Sequence, residues 1–173
     1  MANTYIIYNG AMVTTASPVK VATGTATKTM LQLKPAAGFP IKVVEWGCSF
    51  DASSAATPGV VELVDTGTIW ATVTPSTASD VMQFFDPNAP AQTAGTSGIP
   101  LNLGASATGF TSTLEGTIVT SRYGDVQLVS PTNQYVKQFP LGREFGVVPG
   151  NFLRIRMTFG TSVNAYCYII FET

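Results

Sequence analysis

The chain has 173 residues, enough for one domain with a sizeable core, and 45% of them are hydrophobic. Only 11% are charged, against roughly 25% in an average soluble domain, and 9 basic residues offset 10 acidic ones to give a net charge of -1. No basic run of the kind that tracks a phosphate backbone is present, no apolar stretch is long enough for a membrane-spanning helix, and a basic membrane-surface patch is equally absent.

The surface must therefore be covered largely by Thr, Ser, Asn, Gln and Ala. Two compatible readings follow. Either much of that surface is covered by partners in the working state, or the chain is a β-protein that simply carries Thr and Ser outside. Met1-Ala2-Asn3-Thr4 lacks the basic and apolar regions of a secretory signal, so synthesis in a cytoplasm is expected.

The order of residues reads as strands and turns throughout, punctuated by 16 Gly and 11 Pro, with no sustained helical spacing. Tyr5-Ile6-Ile7-Tyr8 is a short apolar strand closed by Asn9-Gly10. Residues 1–24 form an N-terminal strand or extended arm, and the alternative, slightly favoured, is a first hairpin with Asn9-Gly10 as its turn. Residues 25–173 form the main domain.

Thr27–Lys34 alternates as a half-buried strand. Ile41–Phe50 follows, with Val44, Trp46, Cys48 and Phe50 on one face. Val60–Asp65 and Ile69–Val73 flank an Asp65-Thr66-Gly67 turn, and Val81–Phe85 ends at Asp86-Pro87-Asn88. Pro87–Leu114 contains no charged residue. A free loop of that length is unusual in a compact domain, so an ordered loop lying on a surface is expected, anchored by Ile99, Leu101, Leu103 and Phe110.

Strands resume at Thr111–Val119, Val126–Val129 and Gln134–Phe139. Val148-Pro149-Gly150-Asn151 is the clearest turn, and Phe152–Phe159 after it points Arg154 and Arg156 away from Leu153, Ile155 and Met157. Ala165–Phe171 is nearly continuously apolar, as expected of a central strand buried on both faces. About eight to ten strands with frequent turns predict an all-β, single-domain, two-sheet sandwich, jelly-roll-like, with an extended N-terminal segment and one long ordered loop.

The chemistry-bearing residues are sparse. The chain has no His, which removes Ser-His-Asp and Cys-His catalysis. Glu45, Glu62 and Glu115 lie on strands where a glycosidase-like carboxylate pair is conceivable, but solvent-facing strand positions explain them better. Val21-Ala22-Thr23-Gly24-Thr25 lacks the Gly-Lys-Ser/Thr of a phosphate loop. Asp86-Pro87-Asn88 fits an Asx-type turn better than a calcium site. Two distant cysteines, Cys48 and Cys167, sit in apolar runs and are expected as buried free thiols rather than as a disulfide; with no paired-Cys spacing, zinc is not expected. No enzymatic activity and no cofactor follow from these residues.

Contact with a partner is a different matter. Phe84 and Phe85 are adjacent, so one of them faces away from the core. Trp46 belongs to a core strand, while Trp70 is open to either a core or a surface role. Gln138–Phe145 is the most distinctive loop; its Arg143 and its Phe residues suit a subunit contact, and the alternative is ordinary loop anchoring by Phe139 and Leu141. The candidate partner-contact residues are thus Phe84, Phe85, Ile99, Leu101, Leu103, Phe139, Arg143 and Phe145.

The run from Pro131 to Glu144 (PTNQYVKQFPLGRE), with Pro149–Arg156 (PGNFLRIR) and Val60–Gly67 (VVELVDTG), resembles a small virion protein family of tailed bacteriophages, notably those of actinobacteria. The low-charge stretch from Pro87 to Gly109 fits the same pattern. The resemblance implies a capsid decoration, or cement, protein with a jelly-roll or β-tulip core, bound to the outer surface of the major capsid protein shell and commonly a homotrimer. It implies a place on the virion after synthesis in the host cytoplasm, with no direct nucleic-acid contact and no membrane. The alternatives are a fibre module that binds receptors or glycans, and a tail-tube or adaptor subunit.

Overall fold

The computed structural model describes residues 3–12, 15–51, 57–83 and 100–173. Among these, thirteen strands are formed: β1 (Thr4–Tyr8), β2 (Val21–Ala22), β3 (Lys28–Leu33), β4 (Ile41–Phe50), β5 (Gly59–Asp65), β6 (Thr72–Pro75), β7 (Met82–Gln83), β8 (Gly109–Leu114), β9 (Arg122–Val129), β10 (Gln134–Gln138), β11 (Phe145–Val147), β12 (Leu153–Thr158) and β13 (Asn164–Glu172). One short 3-10 turn, Ala78–Asp80, interrupts them.

The strands build two antiparallel sheets that pack as a sandwich. The first runs β10-β4-β13-β1-β7, with β11 also on β4 and β2 also on β13; the second runs β6-β8-β3-β12-β5-β9. The all-β two-sheet architecture is as the alternation predicts, and its strand arrangement is consistent with a jelly-roll-like sandwich.

The core lies between the sheets. Ile7, Trp46, Cys48, Cys167, Ile169 and Phe171 of the first sheet meet Leu31, Leu33, Val61, Leu63, Ile155 and Met157 of the second. Large side chains dominate it, and the interior closes around fully buried Trp46, Phe159 and Phe171. Burying each such side chain contributes roughly 1.5–3 kcal/mol.

β13 is central, paired with β4 on one side and with β1 and β2 on the other. Its apolar run is nevertheless not buried on both faces. Ala165, Cys167, Ile169 and Phe171 are buried, whereas Tyr166, Tyr168 and Ile170 are half-buried on the outer face. A sandwich covers only one face of each sheet, so the outer residues of even a central strand reach solvent or a covering loop.

The N-terminal residues are part of this sheet. β1 pairs with β13 and with β7, and β2 continues along the same edge of β13. Both run antiparallel to β13, so Asn9-Gly10 does not turn a hairpin. The chain instead leaves the sheet after Asn9 and returns at Val21. At the exit the Asn9 side chain continues the ladder: its Nδ2 donates to the Ala165 carbonyl at 3.2 Å and its Oδ1 accepts from Cys167 N at 2.9 Å.

Ile69–Val73 is not a strand over its first half. The carbonyl of Ile69 accepts from the Arg154 guanidinium and from Thr66 Oγ1, and both backbone groups of Ala71 bond to the Gln32 amide. With those groups occupied by side chains, pairing starts only at Thr72. The covering loop also buries the outer face of β3 and β12. Arg154, expected to point away from the core, is 0% exposed, and so is Gln32.

The long uncharged segment is pinned where it is described. Ala36 N donates to the Pro100 carbonyl, Asn102 N donates to the Lys34 carbonyl, and Leu101 bridges to Pro35. Residues 84–99 lie outside the described set.

Candidate interaction surface

At one side of the sandwich the edge strand of the second sheet, β9, lies beside β10 and β11 of the first. Three contacts join them. The Tyr135 hydroxyl donates to Asp125 Oδ2 at 2.5 Å. The Arg122 guanidinium sits 4.3 Å from the centroid of the Phe145 ring and donates to the Gly146 carbonyl. Arg122 also reaches Asp65 at 3.2 Å, to which Asn151 donates at 3.1 Å. Burial, and then the neighbouring Asp125 carboxylate, push the Tyr135 hydroxyl above the ordinary phenol range, so it stays a donor.

The register of β9 gives this edge an unusual surface. Asp125 is opposite Leu63 and Gln127 is opposite Val61, both core residues, so Asp125 and Gln127 lie on the inner face. Val126 is opposite Glu62 and Leu128 opposite Val60, on the outer face. Over Asp125–Leu128 the strand is thus polar inward and apolar outward, before Val129 returns to the core, and Leu128 is 75% exposed. A bulge between Leu63 and Val64 leaves Gly124 unpaired and sets this phase. A one-residue change of phase exchanges the faces of a strand, so the register at the bulge decides that Val126 and Leu128 face outward.

Leu141 stands nearby in sequence on a tight turn. Arg143 N donates to the Pro140 carbonyl at 2.9 Å, and Gly142 takes the positive φ (+78°) that the third turn position needs. Glu144 Oε1 accepts from Gly142 N at 2.7 Å. Backbone amides, its own first and then that of Gly142, hold the Glu144 carboxyl below its ordinary range, with Lys42 adding a smaller attraction. The result is a braced turn that presents Leu141 at 97% exposure. Tyr123, Val136 and Val148 are further exposed apolar side chains from the same group of strands and turns.

The structure distributes the sequence-predicted contact residues unevenly. Arg143 is exposed beside Leu141; Phe139 and Phe145 are half-buried and pack against the core. Leu101 belongs to the core and Leu103 packs against it. Phe84, Phe85 and Ile99 lie outside the described residues. Sequence reasoning did not single out Leu128 and Val126, and Leu141, read as an alternative loop anchor, is exposed instead. Trp70 is 47% exposed, with its ring 6.4 Å from that of Phe152.

A second surface feature is a cleft of about 670 Å³ on the outer face of the first sheet. Tyr8, Tyr166, Tyr168 and Val136 line it from the sheet, and Met12 and Val19 from the segment that leaves the sheet after Asn9. That segment is tied down by Tyr166, whose hydroxyl donates to the Pro18 carbonyl, and by Met12 N, which donates to Asp80 Oδ1 at 2.7 Å. No charged residue is among the described residues lining the cleft.

Glu45 and Glu62 lie on strands as expected, Glu115 lies just past the end of β8, and each of the three has a polar partner. Glu45 accepts from the Tyr168 hydroxyl at 2.6 Å on the first sheet. Glu62 pairs with Arg156 at 2.5 Å, and Glu115 with Arg154 at 3.4 Å, on the second. Among the described residues no group of three or more His, Cys, Asp or Glu is placed to hold a metal ion, and no helix is long and apolar enough to cross a membrane.

Compared with family models, with curated proteins and with solved structures, the chain finds no match.

Proposed function

We propose that this chain is a non-enzymatic structural subunit, a bacteriophage capsid decoration protein that binds the outside of the major capsid protein shell and cements it. The observation that carries the interaction reading is the inside-out edge strand β9, with Leu128 and Val126 facing solvent while Asp125 and Gln127 face inward. An isolated subunit gains nothing from that arrangement. A subunit that buries β9 against a partner recovers roughly 1.5–3 kcal/mol for each large apolar side chain covered. The braced Leu141 turn supplies a second apolar contact at little ordering cost, since its backbone is already fixed. The 11% charge content agrees with a surface made for contact.

The phage capsid itself, the major capsid protein as partner and a homotrimer as the assembled form rest on the resemblance of Pro131–Glu144, Pro149–Arg156 and Val60–Gly67 to virion proteins. The mechanism needs no bond chemistry: bridging neighbouring shell subunits buries area that resists the pressure of packaged DNA. Cryo-electron microscopy of purified particles tests it. Density for this chain over the shell, with β9 or the Leu141 turn at the contact, is the expected outcome. A location confined to the tail, or absence from the particle, rejects the proposal.

The tyrosine-lined cleft favours a second reading, a fibre-type module whose rings stack on a neutral ligand such as a glycan. Selective binding on a glycan array, abolished by Tyr166→Ala and unaffected by Leu128→Asp, would favour that reading over the first.

A further inference from the structure

Cys48 and Cys167 are the two cysteines of the chain, and they are opposite one another in the register of β4 and β13. Both are buried and both are free. Their backbone hydrogen bonds decide the geometry of the pair. Cys167 N–H donates to Asn9 Oδ1 at 2.9 Å, and the Cys167 carbonyl accepts from Asn9 N at 3.0 Å. Both polar groups of Cys167 therefore point toward β1 and away from β4. In the β4–β13 ladder this makes Cys48 and Cys167 a non-hydrogen-bonded pair.

That distinction matters. Opposed residues at non-hydrogen-bonded sites of an antiparallel ladder bring their Cα atoms to about 4.5 Å, with the side chains on the same face and closer than at hydrogen-bonded sites. A disulfide requires a Cα separation of roughly 4.4–6.8 Å. Both side chains lie on the core face: Cys167 alternates with buried Ala165 and Ile169, and Cys48 with buried Trp46. The geometry points to a second covalent state of this protein, in which Cys48 and Cys167 are joined by a cross-strand disulfide that locks β4 to β13.

The chemistry balances with a small disulfide such as oxidised glutathione as oxidant. The thiolate of one cysteine attacks the small disulfide, forming a mixed disulfide and releasing one small thiolate. The thiolate of the other attacks the protein sulfur of that intermediate and releases the second. Each protein thiol gives up a proton, the protein loses two electrons, and the small disulfide is reduced to two thiols. Burial pushes the Cys48 thiol up to about 12 and the Cys167 thiol well above its ordinary value. Thiolate is thus scarce once the sandwich has closed, so oxidation belongs to the folding or opened chain, and the finished bond is shielded from reductants.

Refolding the full chain from urea in glutathione buffers, from fully reduced to strongly oxidised, tests the inference. Remaining thiols are alkylated in denaturant and counted by intact mass. The expected product at the oxidised end is a native monomer lighter by two hydrogens, with no thiol left to alkylate. Its thermal midpoint is raised by roughly 5–15 °C over the reduced monomer, and native-state reductant leaves it intact until urea is added. Cys48→Ala refolded in the same buffers should show no such rise, and the wild-type mass stands alone if that variant does not fold. Native monomer that keeps both thiols at the oxidised end, or yields only glutathione adducts or intermolecular dimers, overturns the proposal. An equal rise in Cys48→Ala overturns it as well.

Discussion

The Tyr135 hydroxyl donates to the Asp125 carboxylate at 2.5 Å and so ties β10 of one sheet to β9 of the other. A carboxylate facing the inside of a sandwich edge needs such a donor, because desolvating it unpaired costs several kcal/mol. Gln127 supplies another hydrogen bond, to Asp125 Oδ1 at 3.0 Å. With the polar side of β9 satisfied internally, its apolar side is left facing out. The interior staple and the exposed apolar surface are two sides of one register.

Tyr135 and Tyr168, two of the phenols held above their ordinary range, make an alkaline prediction. Burial is the larger cause for each, followed by a carboxylate: Asp125 for Tyr135 and Glu45 for Tyr168. The folded state keeps both protonated, while the unfolded chain releases these protons near the ordinary tyrosine value of 10.0. Their contribution is therefore fully present below about pH 10 and is lost as pH rises further. Urea unfolding of the wild type should show a fall in stability above pH 10. Tyr135→Phe with Tyr168→Phe should be less stable at neutral pH by about 1–3 kcal/mol per lost bond and should show a shallower alkaline fall.

Arg154 is buried to 0% exposure, and burial draws its guanidinium down to about 10 against the opposing pull of Glu115. Its Nη1 donates to the Glu115 carbonyl at 2.9 Å, and Glu115 also accepts from Thr29 N at 2.5 Å and Thr29 Oγ1 at 2.6 Å. Removing Glu115 leaves a buried cation without its counter-ion. Glu115→Ala and Arg154→Ala should each lower stability by about 3–5 kcal/mol, with the double variant costing less than their sum. Lys20→Ala, which breaks an exposed pair with Asp51, should leave stability close to that of the wild type. Chemical denaturation of the four variants checks the contrast.

Gly124 is the unpaired residue of the β9 bulge, and a Cβ placed there would come within 2.9 Å of the Phe145 ring. The ring cannot easily yield, since Arg122 covers it at 4.3 Å. Gly124→Ala should cost about 1–3 kcal/mol through overpacking. In a Phe145→Ala background the same substitution should cost much less, and a double-mutant cycle by urea unfolding measures the difference.

Sequence alternation revealed the strands that face the core from the middle of a sheet. Val60–Asp65 is realised as Gly59–Asp65, Ile41–Phe50 without change, and Phe152–Phe159 as Leu153–Thr158. Pattern failed where a side chain or a bulge replaced the ladder. Ile69–Ala71 lost its strand to Arg154 and Gln32, which come from distant parts of the chain. The phase of Val126 and Leu128 was set by Gly124, and a lone glycine does not announce a bulge. β11 is only three residues long and carried no readable alternation. Of the exposed residues at this edge, sequence reading singled out Arg143 but not the apolar ones, because apolar residues on an edge strand carry the same letters as those inside.

Leu128 and Leu141 separate folding from assembly. Both are strongly exposed, at 75% and 97%, so neither contributes much to the core of the isolated chain. Leu128→Asp and Leu141→Asp should each leave stability within about 0.5 kcal/mol of the wild type, as surface substitutions generally do. If β9 and the Leu141 turn are the surface the protein docks with, the same substitutions should sharply reduce binding, since each places a charge in a contact that excludes water. Co-sedimentation with particles lacking the protein gives the binding readout, and urea unfolding of the free variants gives the folding one. Wild-type binding by the double variant would remove this edge as the docking surface, and loss of stability would mean that the two leucines serve the fold instead.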